Sequence, residues 1–248
     1  MNELTRDFFI KIGISDGMTV LDVGCGGGVT TEILSEIVGA NGKVIGVDPN
    51  QKAINLASQK TQSNNFKNVE YVCTDIFKYS NKEGEFDAIV GRRVLMYLPD
   101  PKGAISQLSS LLKSDGIMGF QEHDSTSIIN KDKMPLHFKA NQWIWELVKK
   151  NGGNIHIGKE LWSIFSHNSL TIQNIKSEAI IQSPNNNISL VPTLQSLSRL
   201  LLANKVVSEE ELSEKNLYDG LESERTKSDC LFIREVIFFI STKKIAEN

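Results

Sequence analysis

The sequence predicts an α/β fold built on a largely parallel sheet, and three observations in the first half of the chain support this prediction. Short apolar runs typical of buried strands alternate with longer amphipathic segments from Met18 to about Glu122, which indicates consecutive βαβ units. The first apolar run leads into a glycine-rich turn, Gly24–Gly28, and the second ends in a carboxylate, Asp48. A strand, a glycine turn, a helix and a second strand that ends in an acid form the layout of a nucleotide-type cofactor site.

Apolar periodicity, caps and chain breakers define the order of the elements. The strands that we expect are 18–23, 43–48, 69–74, 86–91, a fifth strand that ends near 122, 170–182 and 231–240. The expected helices are 29–38, 50–61, 101–113, 135–150, 159–167, 192–204 and 209–224, with a polar loop at 183–187. The residues before the first strand are expected to form a flap whose Phe8, Phe9 and Ile12 face the site.

The glycine turn is suited to holding a ligand against bare backbone. Val20, Leu21 and Val23 precede it and suit a strand that is covered on both faces. The glycines remove Cβ atoms from the turn, so that backbone N–H groups can approach a ligand at the start of the following helix. The dinucleotide fingerprint G-x-G-x-x-G needs a third glycine where Val29 stands, and a site for an NAD-type cofactor therefore fits poorly.

The segment Val20-Leu21-Asp22-Val23-Gly24-Cys25-Gly26-Gly27-Gly28 closely resembles motif I of the class I S-adenosylmethionine (SAM)-dependent methyltransferases. That motif is a hydrophobic pair, Asp, a hydrophobic residue and then G-C-G-x-G. Further matches follow in order: Asp48, Asp75 with Ile76, the fourth strand Phe86–Gly91, and Leu111–Gly116, which is similar to the family's L-K-P-G-G turn before strand five. A lone glycine motif is a weak signal, but ordered matches over this length are a specific one.

The resemblance implies how the cofactor is held. Asp48 falls where the family places the acid that accepts both ribose hydroxyls, and Asp75 where it places the residue that meets the adenine amino group; for both, a cap or strand-end role is the alternative. The implied cofactor is SAM, with S-adenosylhomocysteine as its product and no metal. The implied cofactor-binding residues are Asp22, Gly24, Gly26, Asp48, Pro49, Asp75, Ile76, Gly91 and Arg92.

The resemblance also implies a Rossmann-like sheet of seven strands in the order 3-2-1-4-5-7-6, with the last strand antiparallel. We expect one methyltransferase domain in which helical cap insertions interrupt the sheet. The second insertion has its own apolar stripe, Leu194, Leu197, Leu200 and Leu201, which is why a helical cap is expected there. The expected core is about 15–124, 168–183 and 229–241, and the expected cap is about 125–167 and 184–228.

Candidate catalytic residues follow the fourth and fifth strands, because ligands bind at the carboxyl ends of parallel strands where the strand order reverses. His123 is the candidate general base, since a histidine pKa of about 6.5 lies near neutral pH; a hydrogen bond to a loop is the alternative. Of the adjacent Arg92 and Arg93, one is expected to face the cofactor pocket and the other solvent or a carboxylate such as Glu122. Arg92 is expected either to bind an acidic substrate group or to form a structural ion pair. The expected substrate-binding residues are Arg92, Tyr97, His123 and Trp143, and packing within the cap is the alternative for Trp143.

Composition narrows the range of partners. The net charge is −3 and the basic residues are scattered, which disfavours a phosphate-tracking surface and a nucleic-acid partner. No apolar run approaches the roughly 20 residues that span a bilayer, and we expect a soluble, cytoplasmic protein, either monomer or homodimer.

Cys25, Cys73 and Cys230 form no C-x-x-C pair and are expected to be reduced thiols, the first two as buried fillers. The histidine spacing matches no metal signature, and no metal is expected.

These observations predict a SAM-dependent methyltransferase that acts on an O, N or C atom of a small organic molecule, similar to the ubiquinone-pathway, menaquinone-pathway and natural-product enzymes. The Asn/Asp-Pro-Pro-Tyr/Phe tetrapeptide of amino-methyltransferases is absent, because Gly91-Arg92-Arg93-Val94 stands there, which disfavours methylation of adenine or glutamine. An RNA or protein methyltransferase is one alternative, and a SAM-binding protein without methyl transfer is another. The acceptor molecule stays open.

Overall fold

The computed structural model describes residues 2–80, 84–166, 169–184, 189–213 and 217–245. The strands are β1 (Thr19–Val23), β2 (Lys43–Asp48), β3 (Val69–Cys73), β4 (Phe86–Arg92), β5 (Leu112–Asp124), β6 (Leu170–Gln182) and β7 (Phe232–Lys244). The α-helices are α1 (Asn2–Lys11), α2 (Val29–Val38), α3 (Gln51–Ser63), α4 (Pro101–Leu111), α5 (Pro135–Lys150), α6 (Leu161–Phe165), α7 (Val191–Ala203), α8 (Glu209–Ser213) and α9 (Leu217–Lys227). Short 3₁₀ helices lie at Ile76–Lys78, Leu95–Tyr97 and Ile157–Glu160.

Over the described residues the strands form a seven-stranded mixed sheet in the order β3-β2-β1-β4-β5-β7-β6. Strand β1 pairs in parallel with β2 and with β4, β2 with β3, and β4 with β5. The predicted fold class and strand order are confirmed. The order reverses beside β1, and the carboxyl end of β1 is therefore the place where such sheets bind ligands.

The pairing of β4 with β5 contains a bulge where the sequence predicts a turn. From Phe86 to Ala88 on β4, the partner on β5 advances from Leu112 to Ile117. The extra residues of β5 loop out of the ladder, as in other bulges. The turn expected at Leu111–Gly116 is thus an irregularity at the start of β5.

The described residues divide into two compact units. The first is drawn from Met1–Glu122, Lys159–Lys176 and Phe238–Asn248, and the second from His123–Gly158 and Ser177–Ile237. Residues 159–166, which the sequence analysis assigns to the cap, therefore belong to the first unit. The reason is packing, because the ring of Phe165 on α6 lies 5.6 Å from the ring of Phe120 on β5.

Helix α1 is part of the core of the first unit. Phe9 is fully buried, and the ring of Phe8 lies 5.0 Å from that of Phe239 on β7. Ile12, just after the helix, lies so close to Gly119 of β5 that a Cβ there would collide with it. The expected flap with these side chains facing the site is wrong, because burying them against β5 and β7 removes large apolar surfaces from water.

The second unit has its own apolar core, to which α5, α7 and α9 contribute. Its buried members are Ala140, Trp143, Leu147, Leu190, Leu194, Leu201, Val207, Leu217 and Leu221. In the predicted stripe of α7, Leu194 and Leu201 are buried but Leu200 is 52% exposed. The single helix expected at 209–224 is α8 and α9, and residues 214–216 lie outside the described residues, as do residues 185–187 of the expected loop and His167.

Candidate active site

The glycine turn after β1 is open on one side. Gly24, Gly26 and Gly28 have φ angles of 65°, 52° and 81°, a region that residues with a Cβ rarely adopt. A Cβ on Gly24 would lie 2.6 Å from Val94 Cγ2, whereas a Cβ on Gly26 would meet nothing within 4 Å. The turn therefore packs tightly against the segment that follows β4 and leaves space for a ligand beside Gly26.

Asp48 at the end of β2 is fixed beside this turn. Its Oδ2 accepts a hydrogen bond from the Gly26 N–H at 3.0 Å, and its Oδ1 accepts one from the Asn50 N–H at 2.8 Å. Because each oxygen of an ionised carboxylate has two lone pairs, each retains capacity for another donor. Asp48 is thus oriented by backbone and able to accept two hydroxyl groups.

Asp22 on β1 presents a buried carboxylate near the turn. Its Oδ2 accepts a hydrogen bond from Thr31 Oγ1 at 2.6 Å, and its buried Oδ1 has no hydrogen-bond partner among the described residues. Burial raises the pKa of Asp22 to about 7, although the Thr31 hydrogen bond and the Arg92 charge lower it. A buried polar atom without a partner costs about 1–3 kcal/mol, and a ligand that brings a donor or a positive charge offsets that cost.

Asp75 begins the 3₁₀ helix after β3. Its Oδ1 accepts a hydrogen bond from the Phe77 N–H at 2.8 Å, so that the carboxylate caps the helix. Asp75 is exposed and Ile76 is buried. Asp75 thus has the cap role that was given as the alternative. Its contact with adenine stays a prediction.

Arg92 at the end of β4 is held by helix α1. Its Nη1 donates to Thr5 Oγ1 at 3.3 Å and to Asn2 Oδ1 at 3.4 Å. Thr5 in turn donates to Oε1 of Gln121 at 2.8 Å, and Gln121 is the register partner of Arg92 on β5. Asn2 and Thr5 were not predicted as partners of Arg92; the available signal was Thr5 itself, a polar residue on the same helical face as Phe8 and Phe9.

Glu122 caps a helix and does not pair with Arg92. Its fully buried carboxylate accepts hydrogen bonds through Oε1 from the N–H groups of Val94 at 3.0 Å and Leu95 at 2.9 Å. Burial raises the pKa of Glu122 to about 7, although these backbone hydrogen bonds lower it. Glu122, given as one alternative partner for an arginine, thus bonds to backbone N–H groups. The carboxylate supports the 3₁₀ helix that ends at Tyr97, whose side chain is 44% exposed.

His123 forms a buried pair with Glu235 in the second unit. The His123 Nδ1 lies 2.9 Å from Glu235 Oε2, and the side chains are 1% and 10% exposed. Glu235 Oε1 also accepts from Arg234 Nη2 at 2.6 Å. Glu235 was not predicted as a partner of His123, although an acid at an inward position of an apolar strand was a usable signal.

Trp143 lies in the apolar core of the second unit. It is 8% exposed, and the Lys139 ammonium lies 4.9 Å from its ring centroid. Trp143 therefore packs within the core, which is the alternative given for it. A contact between Trp143 and the substrate stays a prediction.

The cysteines differ in their exposure. Cys25 is buried beneath the turn beside Gly46, and burial raises the pKa of its thiol. Cys73 is exposed, so its expected role as a buried filler is wrong, because β3 is an edge strand of the sheet. The Cys73 thiol lies 3.6 Å from the carbonyl oxygen of Pro49, an exposed residue next to Asp48.

Among the described residues, no group of three or more His, Cys, Asp or Glu side chains is arranged to hold a metal ion. None of the described helices is both long enough and apolar enough to span a membrane.

The strand order defines an open α/β protein, and the glycine turn after β1 and the acid that closes β2 lie at its topological switch point, where such sheets bind ligands. A family model described as a methyltransferase domain matches residues 14–231. The chain therefore belongs to this methyltransferase domain family.

Curated relatives match part of the chain. The ribosomal protein L11 methyltransferase of Thermosipho africanus is 34% identical over 143 residues, which are 54% of this chain and 50% of the relative. The ubiquinone biosynthesis O-methyltransferase of Neisseria meningitidis is 29% identical over 153 residues, which are 60% of this chain and 61% of the relative. The chain thus spans about half the length of the first of these relatives and about three fifths of the second.

Among solved structures, the YcgJ protein of Bacillus subtilis is similar over nearly the whole chain. The alignment covers 99% of this chain and 100% of that one, with a TM-score of 0.67 and 18% identity. At this identity the likeness is one of fold.

Proposed function

We propose that the protein is a SAM-dependent methyltransferase that methylates a small organic molecule and releases S-adenosylhomocysteine. The single observation that carries the proposal is Asp48, whose carboxylate is oriented by the Gly26 and Asn50 N–H groups and keeps acceptor capacity toward the open turn. Membership of the methyltransferase domain family supports the same conclusion.

The residues of the first unit fit SAM on three counts. Asp48 has acceptor capacity for the two ribose hydroxyls, and the space beside Gly26 allows a ligand to approach the backbone. The buried Oδ1 of Asp22, without a hydrogen-bond partner among the described residues, suits the positive charge of the methionine moiety. We assign the remaining cofactor contacts to Gly24, Pro49, Asp75, Ile76, Gly91 and Arg92.

When bound, SAM supplies a methyl group on a positively charged sulfur that leaves as a neutral thioether. The chain therefore needs no acid for the leaving group, and its main contribution is to hold the acceptor in line with the methyl group. Such positioning contributes up to roughly 7–11 kcal/mol. Asp48 and the glycine turn fix one side of that alignment, and the acceptor-binding residues fix the other.

The net charge of the chain and the name of one relative favour a small molecule as the methyl acceptor. The net charge of −3 opposes a phosphate-rich partner, and the Neisseria relative is named for ubiquinone biosynthesis. Arg92, whose guanidinium bonds to the neutral side chains of Asn2 and Thr5, suits an acidic group on the acceptor. We assign acceptor contacts to Arg92, Tyr97, His123 and Trp143, with His123 as general base.

A protein substrate is the second candidate, because the Thermosipho relative is named for ribosomal protein L11. One experiment separates the two. The purified protein is incubated with methyl-labelled SAM and either a protein-free metabolite extract or a metabolite-free protein extract of a bacterial cell. We expect label in the small-molecule fraction; label confined to protein would favour the second candidate, and failure to bind SAM would contradict the proposal.

A further inference from the structure

We propose that the first unit carries a second ligand site, a cavity that binds a small carboxylate with an apolar body. The cavity has a volume of about 380 Å³, which lies within the size range of small-molecule sites. All of its lining residues belong to the first unit, and they come from α1 and the residue that follows it, from β5, from β6 and from β7. The proposal does not depend on methyl transfer.

The cavity lies at the end of α1, away from the glycine turn. Helix α1 packs along one face of β5, because Thr5 binds Gln121 and a Cβ on Gly119 would collide with Ile12. Ile117, which lines the cavity, continues this face toward the start of the strand. It is four residues before Gln121, which is about 13 Å along the strand, and Gln121 is level with the end of β4. A ligand in the cavity is therefore separate from the cofactor site.

The floor of the cavity is apolar and aromatic. Phe8 and Phe239 are 4% and 1% exposed, and their ring centroids lie 5.0 Å apart. Ile12 and Ile117 also line the cavity, and both are half-buried. The apolar body of a ligand that covers these side chains removes apolar surface of both partners from water, which favours binding.

Positive charge surrounds this floor. Lys11 and Lys243 are exposed, and Lys176 is half-buried with its ammonium 4.5 Å from the ring centroid of Phe239. Ser241 lies on the same face of β7 as Phe239 and Lys243, because alternate residues of a strand share a face. No Asp or Glu is among the described residues that line the cavity. The charge of the lining therefore favours an anion.

Two of these lysines are not neutralised by the chain. Elsewhere in the first unit, the ammonium groups of Lys43 and Lys113 lie 2.8 and 2.7 Å from carboxylate oxygens. Among the described residues, neither Lys11 nor Lys243 has a carboxylate oxygen within salt-bridge distance. One carboxylate on the ligand can accept hydrogen bonds from both ammonium groups and from the Ser241 hydroxyl.

Calorimetric titration of the whole chain with decanoate, decanol and inorganic phosphate tests this chemistry. We expect decanoate to bind more tightly than the other two, because decanol has no charge and phosphate has no apolar body. Lys11→Gln and Lys243→Gln should each weaken decanoate binding about twofold to fivefold, and the double variant about tenfold, with decanol unaffected. Lys102→Gln, at an exposed lysine of α4 outside the lining, is the matched control and should change nothing. Equal binding of decanoate and decanol, or an equal loss in Lys102→Gln, would overturn the proposal.

NMR of the isoleucine methyl groups locates the bound decanoate. The methyl resonances of Ile12 and Ile117 should shift and those of Ile33 on α2 should not, with or without saturating SAM. Displacement of decanoate by SAM, or no binding at millimolar decanoate, would overturn the proposal. Binding to phosphatidylglycerol vesicles without binding of decanoate would also overturn it, by assigning the lysines to a membrane surface. A wild type that does not bind SAM would contradict the proposed function, while the decanoate shifts would still decide the nature of the cavity.

Discussion

Thr31 on α2 donates its hydroxyl hydrogen to Asp22 on β1, with 2.6 Å between Oγ1 and Oδ2. This contact fixes the carboxylate of Asp22 in the buried layer near the glycine turn. It satisfies one carboxylate oxygen, while the other has no hydrogen-bond partner among the described residues. Because burial raises the pKa of Asp22 to about 7, a positively charged ligand nearby would shift this carboxyl group toward its ionised form.

SAM affinity should increase with pH as Asp22 ionises. Burial raises the pKa of Asp22 to about 7, so near neutral pH about half of the carboxyl groups are protonated. A positively charged ligand favours the ionised form, and binding therefore releases protons. Calorimetry at several pH values, in buffers with different ionisation enthalpies, measures both effects.

The expected result is an affinity that rises through pH 7 and then levels off. Asp22→Asn should bind more weakly and lose this pH dependence, while Glu122→Gln, which changes another carboxyl group with a raised pKa, should retain it. A pH-independent affinity in the wild type would remove Asp22 from the cofactor site.

Replacement of Glu122 should alter stability in a pH-dependent way. Glu122→Ala deprives the Val94 and Leu95 N–H groups of their acceptor and should lower the free energy of unfolding by about 1–3 kcal/mol. Glu122→Gln keeps an acceptor oxygen and should cost less.

The sign of the pH effect follows from the raised pKa of Glu122, about 7 in the folded protein. Between the ordinary glutamate pKa of about 4.3 and pH 7, the folded state holds a proton that the unfolded state has lost, so the contribution of Glu122 to stability falls as pH rises through 7. Glu122→Gln should therefore compare more favourably with the wild type at pH 8 than at pH 5. Urea denaturation at both values measures the difference, and an equal difference at both would contradict the burial argument.

Thr5 should link helix α1 to the end of the sheet. Thr5→Val removes the hydroxyl that bonds to Gln121 and Arg92 at nearly constant volume. Each lost hydrogen bond costs about 0.5–1.5 kcal/mol, so we expect a loss of roughly 1–3 kcal/mol in the free energy of unfolding. Thr5→Ser retains the hydroxyl and should keep most of the stability; a Thr5→Val protein as stable as the wild type would contradict the role given to the hydroxyl.

Replacement of His123 should slow the reaction and spare cofactor binding. If His123 takes the acceptor proton, His123→Ala should lower the methylation rate by roughly 10²–10⁴ at neutral pH, with SAM affinity nearly unchanged. His156→Ala, at a histidine that is half exposed and bonded to Ser125, should change the rate only a few fold. A similarly small effect of His123→Ala would return His123 to a structural role.

Local patterns in the sequence predicted many of the elements correctly. The bounds of α2, α5 and β6 agree with the structure because glycines, prolines and apolar periodicity mark their ends. The strand order followed from the resemblance to the family, and not from local pattern. The glycine turn and Asp48 lie close together because β1 and β2 pair in parallel and end at the same edge.

Partners that are distant in sequence were missed. Glu235 is 112 residues from His123, and Thr5 is 87 residues from Arg92, so no local spacing marks either pair. The exposure of Cys73 was also missed, since an apolar run indicates a strand but not whether that strand lies at an edge of the sheet. These properties depend on tertiary contacts, and a pattern along one chain does not encode them directly.

The central claim is that Asp48 and the glycine turn hold SAM, and calorimetric titration with SAM tests it most directly. Charge-assisted hydrogen bonds contribute about 1.5–3 kcal/mol each, so Asp48→Ala should raise the dissociation constant at least about tenfold and leave the fold intact. The control is Asp87→Ala, because Asp87 binds the Thr19 N–H at the opposite end of β1 and should not affect SAM. Binding of SAM by the wild type with a clear loss in Asp48→Ala is the predicted result; a folded Asp48→Ala protein with unchanged SAM affinity would contradict the account.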